Sequence, residues 1–146
     1  MKIFYGKQYV ELTDIREVSR SLKERIITQG KYVERFEKAL KNKLNCKYIS
    51  VCSSGTAALH LAILAIGIKK NDIIIMPAIN FIASYNLAKS LGAKVYLADV
   101  DQFTGQMTPK TLLAIIKKNK LYRIKLIVTM YLGGHPENIF DFYKRS

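Results

Sequence analysis

Four short apolar runs, each followed by a stretch with helical features, constrain the fold of this chain more than any other feature. The runs lie at 48–52, 73–76, 95–98 and 126–129. The second run is a continuous apolar segment, which is typical of a parallel strand buried on both faces. Strands that alternate with helices predict an α/β fold, here a three-layer, mainly parallel sheet flanked by helices.

Two amphipathic helices are predicted before the first run. Apolar residues recur at helical spacing from Leu12 to Leu22, so we expect a helix with Thr13 or Asp14 as its N-terminal cap that ends near Ile26. A turn at 28–30 precedes the second helix. The chain thus divides into a helical segment, 1–45, and a segment of alternating strands and helices, 46–146.

Later helices are predicted over 57–66, 81–91, from Pro109 onward, and 137–143. The 57–66 segment is apolar nearly all round, which predicts a buried helix. Gly92 is expected at a helix C-terminus, in the left-handed conformation that glycine favours. Thr108 before Pro109 is typical of a helix start.

The bulk composition narrows the function classes. No apolar run approaches the length of a membrane span, and the first residues lack the apolar core of a signal peptide. Two cysteines suggest a reducing cytoplasm. The net charge is +13, and its densest cluster is Lys117, Lys118, Lys120, Arg123 and Lys125. We interpret this cluster as solvated surface, with no membrane partner and no nucleic-acid partner expected.

The segment Ser53-Ser54-Gly55-Thr56 joins the first run to the apolar helix. A strand that turns into a helix at such a sequence exposes backbone N–H groups and the positive end of a helix dipole, which together favour a phosphate. The simpler interpretation is an ordinary helix cap. Phe81 follows the second run, so it should lie at the same edge of the sheet, where it could stack on a ligand ring or be a core side chain.

Two carboxylates and two histidines are further candidates for a functional site. Asp99 and Asp101 follow the third run, but a third metal ligand is missing nearby, so loop solvation is the better interpretation. His60 lies within the apolar helix and His135 within a predicted loop; neither is interpreted as a catalytic base. No metal site is predicted.

Several motifs, in order, resemble the DegT-type nucleotide-sugar aminotransferases. They include Ser53 to Ala62, Ile74-Ile75-Met76-Pro77, Asn80 to Ser84, Leu91 to Val95, Asp99-Val100-Asp101 and the earlier Ile27 to Glu37. The resemblance implies the front part of a fold-type I transferase large domain that uses pyridoxal 5′-phosphate (PLP). It also implies amino transfer from a donor such as glutamate to a nucleotide-linked keto-sugar, for amino-sugar and surface polysaccharide synthesis, in a homodimer.

By this resemblance, Ser54, Gly55 and Thr56 would bind the cofactor phosphate, and Phe81 would stack on the pyridine ring. Thr28, Gln29 and Gly30 match a segment near the sugar-nucleotide pocket. The family's Schiff-base lysine and its pyridine-nitrogen aspartate have no match in this sequence, so no catalytic residue is assigned. We therefore expect a truncated, inactive form.

Two alternatives stay open. One is a PLP-dependent sugar dehydratase of the same family, and the other is a non-catalytic remnant that binds phosphate or a partner. In the resembled fold, three later strands separate the first strand from the fourth, so the 48–52 run would lack its neighbours. We expect the isolated chain to be unstable, or to pair its strands in another order.

Overall fold

The computed structural model describes residues 6–136 and 139–143, and the chain forms two compact units. The first is Met1–Val51 and the second is Cys52–Ser146.

The first unit contains helix α1, Leu12–Ser21, and helix α2, Lys31–Leu44. The predicted α1 cap was wrong by two or three residues, because Glu11 is the N-cap and its N–H donates to Asp14 Oδ2 at 2.8 Å. The helix also ends at Ser21 rather than near Ile26. α2 begins directly after Gly30, whose φ of 109° lies in the region that favours glycine.

The 48–52 run is not a strand, which corrects the sequence prediction. A strand is stable only when its backbone groups pair with a neighbour, and no described segment pairs with this run. Its Val51 N–H instead donates to Glu37 Oε1 on α2, at 2.9 Å. A side-chain carboxylate thus replaces one of the hydrogen bonds that a sheet would supply.

The second unit is built on a three-stranded parallel sheet. Its strands are β1, Ile73–Pro77; β2, Lys94–Ala98; and β3, Ile124–Ile127, in the order β2-β1-β3. Ile73 pairs with Lys94 on one side and with Ile124 on the other, so the three strands start in line. The last predicted strand lies two residues earlier than expected, although Val128 N–H still donates to Ile75 O at 2.9 Å.

Helices cover both faces of this sheet. They are α3, Gly55–Ile66; α4, Ala83–Ser90; and α5, Pro109–Lys118, followed by a 3₁₀ turn, Leu132–Gly134, and a short helix α6, Ile139–Tyr143. Residues of α3 and α4 pack with Ile74 and Met76 on one face, while Leu112 of α5 packs with Ile75 on the other. This arrangement confirms the predicted three-layer α/β fold. Residues 137 and 138, at the predicted start of the last helix, lie outside the described residues.

Helix α3 is not buried as the sequence predicted. Only Ile63 is buried, while Leu61 is 54% and Leu64 is 48% exposed. The described residues cover α3 on the side of α4 and the sheet alone. A helix that is apolar on all sides is expected to be buried. The composition does not show whether the residues that bury it belong to the same chain.

Candidate functional site

The predicted phosphate segment forms the start of helix α3. Ser54 is extended, with φ −163° and ψ 162°, and its Oγ accepts the Ala57 N–H at 3.1 Å. Its carbonyl oxygen accepts the Ala58 N–H at 3.0 Å. The hydroxyl of Ser54 thus caps the helix, as the simpler interpretation held, and fixes the direction in which the first amides point.

Two of those amides are left for a ligand. The N–H groups of Gly55 and Thr56 have no acceptor within the described part of the chain. They lie at the positive end of a helix of twelve residues, where an anion is stabilised. Both residues are exposed. The segment can therefore accept a phosphate without breaking a bond of its own.

Gly55 has no conformational reason to be glycine. Its φ is not in the left-handed region, and an ideal Cβ built on it meets no atom within 4 Å. Glycine at a position with free space and ordinary geometry is typical of a backbone that another molecule approaches closely. The backbone at Gly55 is therefore open to the close approach of another group, such as a phosphate.

Topology places this segment and Phe81 at one edge of the sheet. α3 and α4 pack on the same face and lead through short connections into β1 and β2. Because such helices return the chain to the amino ends of parallel strands, they run opposite to the strands. Their N-termini therefore lie where the strands end, at Pro77, Ala98 and Ile127, which we call the carboxyl edge.

Phe81 lies two residues before α4 and is 70% exposed. The core interpretation of Phe81 is therefore excluded within the second unit as described. An exposed ring at the carboxyl edge is available for stacking, and its burial against a ligand would remove apolar surface from water. Its stacking role stays a prediction.

The two aspartates after β2 organise the loop around themselves. Asp101 Oδ1 accepts the Phe103 and Thr104 N–H groups, both at 3.0 Å, and the Thr104 hydroxyl at 3.3 Å. These bonds, that from Thr104 N–H foremost, hold the pKa of Asp101 below its usual value. Asp99 accepts the N–H of Val100. Among the described residues, no group of three or more acidic, histidine or cysteine side chains could hold a metal ion.

The remaining predicted residues are divided between the two units. Thr28 and Gln29 are exposed in the turn before α2, in the first unit, so their role near a substrate stays a prediction. His60 and His135 are both exposed. The described helices are all too short or too polar to cross a membrane.

Three polar groups at the carboxyl edge escaped the sequence analysis. The buried atoms Asn80 Nδ2, Gln106 Oε1 and Tyr131 OH lack a hydrogen-bond partner in the described structure. Each residue lies in the segment that follows one of the three strands. Gln106 is 3% exposed, and its Nε2 donates to His135 O at 2.9 Å, which ties two of these loops together. A polar residue shortly after an apolar strand was the signal that could have found them.

Comparison with known proteins decides the family. The sequence matches the profile of the DegT/DnrJ/EryC1/StrS aminotransferase family over residues 8–143. The chain belongs to this family. The resemblance of the sequence motifs to DegT-type aminotransferases is thereby confirmed.

Two curated family members illustrate the similarity. A UDP-4-amino-4,6-dideoxy-N-acetyl-beta-L-altrosamine transaminase from Campylobacter jejuni is 38% identical over 133 residues, which is 91% of this chain and 35% of that protein. A GDP-perosamine synthase from Escherichia coli is 36% identical over 111 residues, 76% of this chain and 29% of that protein. The chain thus spans about a third of the length of these relatives.

Solved structures share the fold of this chain. A GDP-4-keto-6-deoxymannose-3-dehydratase, solved with a trapped PLP-glutamate geminal diamine, superposes with a TM-score of 0.86 at 26% identity, covering 98% of this chain and 38% of that one. A Bacillus subtilis protein solved with bound cofactor PMP gives a TM-score of 0.77 at 28% identity, with 93% and 32% covered. The family uses pyridoxal phosphate.

Proposed function

We propose that this chain carries the phosphate-binding and ring-stacking part of a PLP-dependent nucleotide-sugar aminotransferase site. The observation that supports this most is that the N–H groups of Gly55 and Thr56 have no acceptor among the described residues. The space next to the Gly55 backbone is also open, because no atom of the chain lies within 4 Å of where a Cβ would be. Ser54 caps the helix and orients these amides, and Phe81 offers an exposed ring at the same edge.

The chemistry of the group explains why such a site is needed. When bound, PLP acts as an electron sink for bonds at an amino-bearing carbon. Its phosphate anchors it, so the residues of this chain would bind and orient the cofactor without moving a proton. No lysine or aspartate here matches the family's reactive pair, so we expect no amino transfer by these 146 residues alone.

We infer the substrate class from the names of the curated relatives. Curated family members act, by their names, on GDP- and UDP-linked sugars, which supports a nucleotide-linked keto-sugar as acceptor and an amino acid such as glutamate as donor. Thr28, Gln29 and Gly30 are the proposed contacts to that substrate. We place the enzyme in the cytoplasm, as a homodimer, in amino-sugar synthesis for a surface glycan.

A dehydratase is the second candidate. The structural match to a GDP-4-keto-6-deoxymannose-3-dehydratase favours it, while the more similar curated relatives are a transaminase and a perosamine synthase. The residue that distinguishes an aminotransferase from a dehydratase has no counterpart in this sequence. We therefore prefer the aminotransferase only because of the names of the more similar curated relatives, one of which is a transaminase.

Calorimetric titration of the chain with PLP, with pyridoxal and with inorganic phosphate tests the proposal. PLP should bind at least about a hundredfold more tightly than pyridoxal, because two charge-assisted hydrogen bonds, each worth about 1.5–3 kcal/mol, are lost without the phosphate. Phe81→Leu should weaken PLP and pyridoxal alike, because it removes only the stacking surface. Equal affinity for PLP and pyridoxal in the wild-type chain would contradict the assignment of Gly55 and Thr56.

Borohydride treatment of the PLP-loaded chain tests the absence of a reactive lysine. We expect no stoichiometric pyridoxyl group on any single lysine. One modified lysine per chain, found by mass spectrometry of its peptides, would show that the catalytic residue is present here after all.

A further inference from the structure

The opposite edge of the sheet carries a concentration of cations that the cofactor site does not use. We call it the amino edge, because β1, β2 and β3 begin there and α4 and α5 end there. Nine of the basic residues of the second unit lie at this edge: Lys69, Lys70, Lys89, Lys94, Lys117, Lys118, Lys120, Arg123 and Lys125. All nine are exposed.

The sheet register gathers these cations from separate parts of the sequence. Ile73 pairs with both Lys94 and Ile124, so the starts of β2 and β3 lie about 10 Å apart across β1. Lys94 N–H donates to Asp72 O at 2.8 Å, which fixes the 69–72 loop beside β2. The side chain of Lys70 lies against Gly92, 3.1 Å from where a Cβ would be. The edge is thus one continuous surface.

Opposing charge is nearly absent from the amino edge. Among the described residues, Asp72 accepts the N–H of Lys69 through Oδ2 at 2.7 Å, and Asp141 lines a cavity with Lys125. Within the described residues, the two ion pairs both lie in the first unit, and neither involves an amino-edge cation. Mutual repulsion at this surface is therefore relieved only by solvent and counterions, or by an anionic partner.

Two of the cations occupy backbone positions that do not suit them. Lys120 has φ +50° and Arg123 has φ +56°, in the left-handed region that asparagine and glycine adopt at lower cost. Folding alone would favour Asn or Gly at both positions. The left-handed backbone at these two positions does not by itself explain long cationic side chains, although the C-terminal end of α5 favours positive charge nearby.

The chemistry of the edge favours an anionic lipid surface over a nucleic acid. Eight of its cations are lysines and one is an arginine. A lysine side chain is a flexible point charge, whereas an arginine side chain binds phosphate through bidentate hydrogen bonds. Tyr122 is the exposed aromatic here, at 76%, and one ring is too few for a platform on which bases stack. Aligned strand starts give a broad face, and a tyrosine among lysines suits a headgroup layer.

We propose that the amino edge docks on anionic phospholipid bilayers while the carboxyl edge faces away from the bilayer. The proposal revises the expectation of a solvated patch, since the sequence cluster covered only five of the nine cations. It does not depend on PLP binding, so the two proposals fail independently.

Sedimentation with vesicles tests it directly. The full chain is mixed with vesicles of phosphatidylcholine containing one third phosphatidylserine, and with vesicles of phosphatidylcholine alone. We expect binding to the anionic vesicles alone at about 0.1 M salt, and its loss near 1 M, where the Debye length falls to about 3 Å.

Two matched variants locate the surface. The edge variant carries Lys117→Gln, Lys118→Gln, Lys120→Asn and Arg123→Asn, and the control variant carries Lys23→Gln, Lys38→Gln, Lys41→Gln and Lys43→Gln, with the same net charge. The edge variant should bind anionic vesicles at least about tenfold more weakly, and the control within about twofold of wild type. Both should give the circular dichroism spectrum of the wild-type chain, because all eight side chains are exposed.

Three results would overturn the proposal. They are no binding of the wild-type chain to anionic vesicles, equal losses in the two variants, and tighter binding to a mixed-sequence RNA than to anionic vesicles at the same salt. The last result, if lost in the edge variant, would assign the amino edge to nucleic acid instead.

Discussion

The two edges of the small parallel sheet differ in the number of their charged side chains and in how firmly their polar groups are oriented. At the carboxyl edge, charge is sparse and each polar group has a defined direction: amides at Gly55 and Thr56, a capping hydroxyl at Ser54, and an Asp101 carboxylate satisfied by its own loop. At the amino edge, charge is dense and undirected. We expect the first arrangement to recognise one small anion by geometry, and the second to attract an extended anionic surface by charge density.

This contrast follows from the direction of the chain. In a parallel sheet the helices end where the strands begin, so the negative end of each helix dipole lies at the amino edge and favours lysine there. The positive ends lie at the other edge and favour a phosphate. One topology therefore supplies two electrostatically opposite surfaces, and the side chains complete each of them.

The largest expected effect concerns the core that holds the edges together. Ile75 is fully buried, and Ile75→Ala should cost about 2–5 kcal/mol of unfolding free energy. The wild-type chain is itself expected to be marginally stable, so this variant should be unfolded at 25 °C by circular dichroism. Both edges should lose function together. A folded variant that keeps PLP binding but loses vesicle binding would show that the edges are not coupled through the core.

The next largest effect is a loss of PLP binding at the carboxyl edge without a loss of folding stability. Gly55→Asp should abolish the preference for PLP over pyridoxal, because a carboxylate would then occupy the phosphate position, while an acidic residue in the first turn should keep or raise helix stability. Titration calorimetry and urea unfolding together check this. Gly55→Ala is the control for folding alone, since its Cβ meets no atom of the chain, and it should weaken PLP binding less than Gly55→Asp because it adds bulk without charge. An unchanged preference in Gly55→Asp would contradict the phosphate site.

A smaller effect tests the cap. Ser54→Ala should lower the unfolding free energy by about 1 kcal/mol, because the Ala57 N–H loses its acceptor. It should also weaken PLP binding modestly, through loss of amide orientation. Ser54→Asp restores a capping acceptor but adds a negative charge, so it should recover stability without recovering PLP affinity. Recovery of both by Ser54→Asp would argue against a phosphate at this position.

The smallest effect is a pH dependence confined to the Asp101 loop. The folded pKa of Asp101 lies below its unfolded value, so its stabilising hydrogen bonds are fully present above the unfolded pKa of about 3.9. They are lost only as the pH falls through the lower folded value. The carboxyl carbon shift of Asp101, followed by NMR, should therefore titrate below the usual aspartate range. A midpoint at or above that range would contradict the bonding described for Phe103 and Thr104.

The sequence predicted the elements whose signals are local. The consecutive isoleucines of β1, the Thr108-Pro109 start of α5 and the left-handed Gly92, with φ +75°, all follow from the residues themselves. It failed where a partner was required. Among residues 6–136 and 139–143, the 48–52 run has strand composition but no paired strand, and α3 has the composition of a buried helix but is covered on one side.

The sequence by itself determined the alternation of strands and helices, the family, and the segment from Ser54 to Thr56 at which a phosphate is expected. Those depend on neighbouring residues, whose spacing is written in the chain. Only the tertiary structure decided which amides are left unpaired, that Phe81 is exposed, and that cations from the 69–72 loop to Lys125 form one surface. These depend on sheet register, because it brings residues distant in sequence to the same edge.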